Sequence, residues 1–287
     1  MNKSLFKYIL ALLLFGSNGI VASLISLSSY EIVMYRTLIG SLLLILLYLL
    51  RYKRFTFYKA GSSSFFLFVS GICMGVSWIF LYEAYQQIGV SIASLGYYCG
   101  PVIVMALSPL LFHEKLTRQK LLGFAIVFAG IILVNANALY EQHTGFGIFC
   151  SLMSAVMYAG MVSFNKKATA ITGMENSTLQ LTVAFLSVFA YTIIRQGLHF
   201  HIQTGDIMPL LFLGIVNTGI GCYQYFSSIG DIKIQTVAIM GYLEPLSAVV
   251  LSVLLLKESM IPIQIAGAAC IILGAIYAEF KGKTTSI

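Results

Sequence analysis

The chain of 287 residues is too apolar and too weakly charged for a soluble domain. Hydrophobic residues make up 59% of it and charged residues only 9%, whereas soluble domains carry about 25% charged residues. The formal net charge of +7 comes from 17 Lys and Arg against 10 Asp and Glu. In so apolar a chain this excess indicates how loops lie beside a membrane, not nucleic-acid binding. Disorder is excluded because it requires low hydrophobicity, so the composition predicts an integral membrane protein.

Ten apolar segments are long enough to cross a bilayer as helices. A span takes about 20 apolar residues, since the hydrocarbon core is about 30 Å thick and a helix rises about 1.5 Å per residue. In chain order the predicted spans are 6–26, 31–50, 64–86, 91–112, 119–137, 145–164, 176–195, 208–228, 235–256 and 262–280. No linker is long enough for a soluble domain, so we predict one all-α membrane domain in the cytoplasmic membrane.

Cations are distributed unevenly over the segments between these spans. If the N-terminus is placed in the cytoplasm, fourteen of the 17 Lys and Arg residues fall on the cytoplasmic side, and only Arg195 and Lys257 fall outside. The positive-inside rule then predicts that both termini face the cytoplasm. A wrong number of spans would mix the two sides, so the asymmetry also favours ten.

The two halves of the chain are similar to each other in one register. A shift of 144 residues matches Pro101 with Pro245, Glu114 with Glu258, Gly123 with Gly267 and Gly130 with Gly274. Each half holds five spans, and because five is odd the halves enter the membrane from opposite sides. The sequence thus predicts two inverted-topology repeats, 1–137 and 145–280, an arrangement typical of secondary transporters.

The stretches 97–130 and 242–274 resemble the two EamA repeats of the drug/metabolite transporter superfamily. The shared features are a mid-span proline, a glutamate at the span end and a following helix with spaced glycines, and the resemblance covers nearly the whole chain. It implies a ten-helix transporter with a central cavity and alternating access. It leaves the substrate open, because members carry amino acids, amines, nucleotide sugars and other metabolites. Gly100 stands where the second half has Glu244, so a mid-membrane carboxylate is single.

Glu244 is the sharpest chemical feature of the spans. It lies about nine residues into the ninth span, about 13 Å deep, where an unpaired charge is costly. It is predicted either to couple transport to protons or to bind a cationic substrate; a neutral carboxyl that hydrogen-bonds a neighbouring helix is the structural alternative. Pro245 and Pro101 each free a backbone carbonyl, and with Gly241 and Gly100 they form the predicted hinge.

Arg36 and Glu83 each lie about five residues from the outer ends of their spans, at similar depths of about 7 Å. This placement predicts an ion pair with a structural or gating role. In the alternative, Arg36 binds a substrate carboxylate or Glu83 binds an amine.

Aromatic and amide side chains are further candidates for a substrate site. Trp78, Tyr82 and Tyr85 share one helix face, and aromatic faces bind organic cations. Packing at the membrane interface is the commoner role for such rings, and buried amides usually join helices. The remaining candidates are Tyr97, Tyr98, Tyr223, Tyr242, Asn18 and Gln224.

These features favour a secondary transporter. The chain contains no P-loop and no hydrolase motif, so we expect no cofactor, no metal and energy from gradients, including protons. Two substrate classes stay open: an amino acid or related amphipathic metabolite, and an amine, other organic cation or drug held in an aromatic cage. An intramembrane enzyme acting on a lipid or peptide is a distant alternative, because the deep polar residues lack His and Asp. Oligomeric state and direction of transport also stay open.

Overall fold

The regular secondary structure is helical wherever the chain is described. The structure is a computed structural model that describes residues 3–52, 54–134, 145–197, 202–256 and 262–279. The α-helices are α1 Lys3–Phe15, α2 Asn18–Ala22, α3 Ser29–Tyr52, α4 Ser62–Tyr97, α5 Gly100–Phe112, α6 Arg118–Val134, α7 Gly145–Lys167, α8 Gly173–Gln196, α9 Ile207–Phe212, α10 Gly221–Ile229, α11 Ile234–Met240, α12 Leu243–Leu256 and α13 Pro262–Glu279. A π-helical segment, Leu213–Ile220, joins α9 to α10. The predicted span ends at 135–137 and 280, with Lys257 and Glu258, lie outside the described residues.

Six helical stretches within these ranges are long and apolar enough to cross a membrane. They are Lys3–Ala22, Ser29–Tyr52, Ser62–Ile88, Gly145–Lys167, Gly173–Arg195 and Thr204–Ile229. Their outer faces carry large apolar side chains, such as Leu50, which is 71% exposed, and Ile194, which is 85% exposed. An apolar surface of this extent requires lipid around it. The protein is therefore a multi-pass membrane protein with at least these six long apolar helices.

Helix α4 contains the reversal that the sequence placed between the third and fourth spans. The non-helical connection expected at 87–90 is wrong, because α4 is helical from Ser62 to Tyr97. Yet the Ser77 hydroxyl donates to the Ser154 carbonyl at 2.8 Å, and the Ser151 hydroxyl donates to the Ala93 carbonyl at 2.9 Å. Along a straight helix Ser77 and Ala93 would be about 24 Å apart. Both reach one turn of α7, so α4 folds back on itself.

Two of the predicted spans are broken at corresponding positions. The fourth is interrupted between α4 and α5, and the ninth between α11 and α12. Pro101 and Pro245 lie in the first turns of α5 and α12, where the missing N–H has no helical partner to lose. The prolines therefore start a new helix after each break instead of bending a continuous one.

The first span is also broken, which the sequence did not predict. Helix α1 ends at Phe15 and α2 begins at Asn18. A Cβ on Gly16 would collide with the Ser247 hydroxyl and would lie 2.7 Å from the Ala248 nitrogen. Because Gly16 has no side chain, the backbone at the break can pack directly against α12.

Helices α6 and α13 pack backbone to backbone. A Cβ on Gly123 would lie 2.8 Å from the Gly274 carbonyl oxygen, and a Cβ on Gly130 would lie 2.7 Å from that of Gly267. Residue numbers rise along one helix as they fall along the other, so the pair is antiparallel. The four glycines that match between the two halves therefore allow the backbones of α6 and α13 to approach closely.

We expect Gly130→Ala to lower the free energy of unfolding by about 1–3 kcal/mol, because its methyl group meets backbone that cannot move aside. Thermal unfolding of purified protein in detergent measures this. Gly145→Ala is the matched control, since a Cβ there meets nothing within 4 Å. Equal midpoints for Gly130→Ala and wild type would contradict the packing described for α6 and α13.

Candidate functional site

A central cavity of about 540 Å³ lies among helices α1 to α4, α7, α10 and α12. Its size suits a small metabolite. At one end its lining includes Ser23, Ile25 and Leu27 from the α2–α3 connection, and the exposed lining residues Gly19 and Ser23 mark this end as the mouth. At the other end tyrosine side chains close it.

Arg36 contributes a positive charge to the cavity wall from the second turn of α3. The side chain is 4% exposed, its Nε donates to the Thr218 hydroxyl at 2.9 Å, and its guanidinium carbon lies 5.0 Å from the Trp78 ring centroid. Thr218 in turn donates to the Leu213 carbonyl, five residues back, at 2.8 Å. Such spacing belongs to the π-helical segment, so this segment positions the arginine. The terminal guanidinium nitrogens have no bonded partner among the described residues.

Glu244 contributes a negative charge from the first turn of α12. The helix N-terminus favours an anion there. Its backbone N–H donates to the Gly241 carbonyl at 3.2 Å, but within the described chain its carboxyl oxygens have no hydrogen-bond or ion-pair partner. The alternative of a structural hydrogen bond to a neighbouring helix is therefore not observed in these ranges.

The cavity thus combines one cation and one anion that are not bonded to each other. Arg36 and Glu244 are the charged members among its described lining residues. In surroundings of low polarity, unsatisfied charges interact strongly with a ligand of complementary charge. Such a wall suits a molecule that carries both a carboxylate and an ammonium group.

Aromatic rings form much of the remaining wall. Trp78, Tyr82 and Tyr85 line the cavity along one face of α4, and Tyr97 and Tyr98 line it at the α4–α5 break. The ring centroids of Tyr82 and Tyr85 are 5.1 Å apart. This arrangement gives apolar contact area to a ligand, with hydroxyl groups at its edges.

Three tyrosines, which we call the floor, close the end of the cavity farthest from the mouth. They are Tyr8, Tyr158 and Tyr225, and the last two also line the cavity. The hydroxyls of Tyr158 and Tyr225 are 3.4 Å apart, the rings of Tyr8 and Tyr225 are 5.0 Å apart, and the Tyr8 hydroxyl donates to the Val237 carbonyl at 2.9 Å. A single tyrosine in an apolar helix resembles ordinary packing, so these three could not be singled out from the sequence except by their mid-span positions.

Two of the predicted site residues support the breaks. Asn18 lines the cavity and accepts a hydrogen bond from the Asn217 side chain at 2.9 Å, which joins α2 to the π-helical segment. Tyr242 is fully buried, and its hydroxyl donates to the Tyr98 carbonyl at 2.8 Å. This bond connects the two broken spans at positions that are 144 residues apart, so Tyr242 positions the backbone of the site. Tyr242 is not among the described residues that line the cavity.

Three other predicted residues lie away from the described cavity lining. Tyr223 borders a recess beside Arg51, and Lys7 lies 5.8 Å from its ring centroid. The Gln224 side-chain oxygen is buried with no partner among the described residues. Glu83 lies on the other side of α4 from Trp78, since residues five apart point about 140° apart around a helix.

The predicted ion pair between Arg36 and Glu83 is not formed in the described structure. Arg36 faces the central cavity, whereas Glu83 lines a separate recess and accepts a hydrogen bond from the Gln87 side chain at 3.2 Å. The two side chains lie at similar depths, but depth alone does not determine which way a side chain points around its helix. Among the described residues no group of three His, Cys, Asp or Glu side chains could hold a metal ion.

Comparison with known proteins gives a consistent picture. The sequence profile of the EamA-like transporter family matches residues 2–136 and 145–279. An uncharacterized transporter of Bacillus subtilis, YxxF, is 25% identical over 255 residues, which is 87% of this chain and 81% of that protein. A Salmonella typhimurium protein named "Probable amino-acid metabolite efflux pump" is 27% identical over 200 residues, 64% of this chain and 65% of that protein. These names point to transport and away from catalysis.

A solved crystal structure shares the fold. It superposes with a TM-score of 0.82 over 96% of each chain, at 18% sequence identity. At this identity the likeness concerns the arrangement of helices alone.

We expect dicyclohexylcarbodiimide, which reacts with carboxyl groups in apolar surroundings, to modify Glu244 in the folded protein. Glu114 serves as the internal control, because its carboxylate accepts the backbone N–H groups of Ile234 at 2.9 Å and Gln235 at 3.3 Å. Peptide mapping by mass spectrometry should find the adduct on the peptide of Glu244, and Glu244→Gln should remove it. Modification of Glu114 with Glu244 untouched would contradict the placement of an unbonded Glu244 carboxyl in the cavity lining.

Proposed function

The chain belongs to the EamA-like transporter family, and from this membership we propose that it is a secondary transporter of an amino acid or a related amphipathic metabolite. The substrate binds in the central cavity. The observation that carries this proposal is the placement of Arg36 and Glu244 in the lining of one cavity, where neither is bonded to the other. The name of the Salmonella typhimurium relative supports the same substrate class.

The two charges suit the two ends of an amino acid. A guanidinium group binds carboxylates through two parallel hydrogen bonds, and Arg36 lies in the cavity lining with only its Nε hydrogen-bonded among the described residues. Glu244 then accepts the ammonium group, and the aromatic wall of Trp78, Tyr82 and Tyr85 contacts the side chain of the substrate. Binding satisfies both charges at once, which a substrate with a single charge does not do.

We place these residues in ten spans that form two inverted repeats, in the cytoplasmic membrane with both termini inside. Two helix pairs support the inversion. Helix α3, Ser29–Tyr52, and helix α8, Gly173–Gln196, begin and end at residue numbers that differ by 144, which is the shift that relates the two halves. The rings of Tyr30 and Tyr191 lie 5.5 Å apart, and a Cβ on Gly40 would lie 3.0 Å from Leu181, so these helices are antiparallel. Helices α6 and α13 are antiparallel in the same way.

Alternating access requires the floor to open while the mouth closes. Tyr158 on α7 and Tyr225 on α10 separate in that step. Lys166 holds the same end together, because its ammonium group donates to the carbonyls of Ile229, Gly230 and Ile232. The hinge consists of the two broken spans, at Gly100 and Pro101 in one half and at Gly241 and Pro245 in the other.

Glu244 also supplies a group for proton coupling. When the substrate leaves, the carboxylate loses its positive partner in an apolar cavity, and taking up a proton removes the cost of the bare charge. A proton then crosses in place of the substrate ammonium, and a proton gradient can drive the cycle.

Organic cations are the second candidate substrates. The aromatic wall with Glu244 favours them, since rings and a carboxylate together bind ammonium ions. Against them stands Arg36, whose guanidinium group already lies over the Trp78 ring and repels a second cation. A zwitterion is therefore the better match to the cavity.

We expect reconstituted protein to distinguish an amino acid from its single-charge relatives. Proteoliposomes would be offered an amino acid, the amine that lacks its carboxylate and the acid that lacks its ammonium group. Wild type should prefer the amino acid by about tenfold or more, because each missing partner leaves a buried charge unsatisfied. Arg36→Gln should lose the discrimination against the amine, and Arg51→Gln, which removes an exposed cation outside the cavity, should retain it. Transport of the amine at least equal to that of the amino acid would favour the organic-cation candidate.

We expect Glu244→Gln to equilibrate the substrate without concentrating it. In the same proteoliposomes, an imposed pH gradient should drive wild type to accumulate substrate, whereas the variant, which cannot take up a proton at this position, should stop at equal concentrations. Glu83→Gln, which alters a buried carboxylate outside the cavity, is the matched control and should still accumulate substrate. Full accumulation by Glu244→Gln at every pH would refute its role in coupling.

A further inference from the structure

A second recess, which we call the lateral recess, lies on the side of α4 that faces away from the central cavity. Its volume is about 420 Å³, and it is bounded by α4, α7 and α8. Its walls are mainly apolar: Val76, Ile79 and Phe80 from α4, and Phe146 from α7. Phe146 is 57% exposed on the outer surface of the helices. Because the protein is embedded in a bilayer, the lateral recess opens towards lipid.

Glu83 gives this recess an unsatisfied negative charge. The side chain is only 8% exposed, and one carboxylate oxygen accepts from the Gln87 amide. The other oxygen, Oε2, is buried and has no hydrogen-bond partner among the described residues. A buried acceptor without a donor is costly, so a ligand that brings N–H donors stabilises this arrangement.

Arg195 lies at the same height as Glu83 on the neighbouring helix. Gly71 of α4 contacts Val183 of α8, and Gly75 contacts Ser187, so the helices run parallel with a constant offset of 112 residues. The same offset takes Glu83 to Arg195. Arg195 is exposed in the last turn of α8 and lines the rim of the recess. A carboxylate and a guanidinium group therefore lie at the same height in the lining of one recess, and they form no ion pair within the described part of the chain.

The depth of this pair matches the headgroup boundary of a bilayer. Glu83 precedes Ile88, the end of the apolar stretch Ser62–Ile88, by five residues, or about 7 Å along the helix. Arg195 ends its own apolar stretch, Gly173–Arg195. Below them, towards the membrane centre, the recess offers only apolar side chains of α4 such as Val76 and Phe80.

We propose that the lateral recess is a binding site for a phospholipid with a primary-amine headgroup. The ammonium group donates to the Glu83 carboxylate, the phosphate accepts from Arg195, and an acyl chain lies along Val76 and Phe80. A quaternary ammonium headgroup lacks the N–H donors that Glu83 requires, so the site distinguishes the two headgroups. This proposal goes beyond the transport function and does not depend on the substrate of the central cavity.

Native mass spectrometry of the full-length protein in detergent tests the proposal. The protein would be incubated with equal amounts of phosphatidylethanolamine and phosphatidylcholine that carry identical acyl chains. Wild type should retain phosphatidylethanolamine about tenfold more than phosphatidylcholine, the ratio expected from one charge-assisted hydrogen bond. Glu83→Gln should abolish the preference, and Arg195→Gln should weaken retention of both lipids because both have a phosphate.

Arg51→Gln is the matched control, since Arg51 borders another outer recess that has no carboxylate in its lining, and it should leave the preference unchanged. The thermal midpoint provides a second measurement: phosphatidylethanolamine should raise it in wild type and not in Glu83→Gln. Absence of a preference in wild type, or a preference that survives Glu83→Gln, would overturn the proposal. A lipid-independent dimer that is lost in Glu83→Gln would overturn it too, because a second copy of the chain would then occupy the recess.

Discussion

The hydrocarbon of a bilayer offers no hydrogen bonds, so a membrane-embedded chain must satisfy its polar groups internally. Many of them do so locally: the Thr37 and Thr192 hydroxyls donate to carbonyls four residues back in their own helices. Others do so across helices, as when the amides of Asn165 and Asn176 bond each other in both directions at 2.9 and 3.0 Å. Against this background, charged atoms without a hydrogen-bond partner among the described residues are informative. Arg36 and Glu244 stand out for that reason, and they face the same space.

The same constraint explains how a cavity can exist in the middle of a helical protein. A break in a helix releases backbone groups, and these need new partners. The Asn217 side-chain amide donates to the side-chain oxygens of Ser17 and Asn18, which holds the residues at the break in the first span in place. Tyr242 supplies a hydroxyl to the carbonyl of Tyr98 at another break. The interruptions are thus stable features that carry the site residues, and close backbone packing elsewhere, as between α6 and α13, holds the helices around them.

Much of this architecture could be predicted from the sequence because its signals are physical and local. Apolar length located the helices, and a proline paired with a glycine or glutamate located two of the breaks. Charge at mid-membrane depth identified Glu244, and charge within the outer part of a span identified Arg36. What could not be predicted depends on directions around helices and on irregular backbone. Glu83 has the depth of Arg36, but it lies on the side of α4 away from Trp78 and the central cavity. The π-helical segment that holds Arg36 through Thr218 gives no periodic pattern in the sequence. The sequence located the chain reversal at 87–90, but it did not show that the backbone stays helical through the turn, as it does in α4.

Lys166 introduces an imbalance between the two ends of the molecule. In an inverted repeat with identical halves, the outward-facing and inward-facing states would be equivalent and equally populated. The shift of 144 residues that relates the halves places Ala22 opposite Lys166, and an alanine cannot reproduce three hydrogen bonds from an ammonium group to backbone carbonyls. In the proposed alternating-access cycle, this difference between the halves favours the state with the closed floor. Under the proposed mechanism, substrate or proton binding supplies the free energy that breaks the Lys166 hydrogen bonds in each cycle, so this lysine raises the driving force that opening of the floor requires.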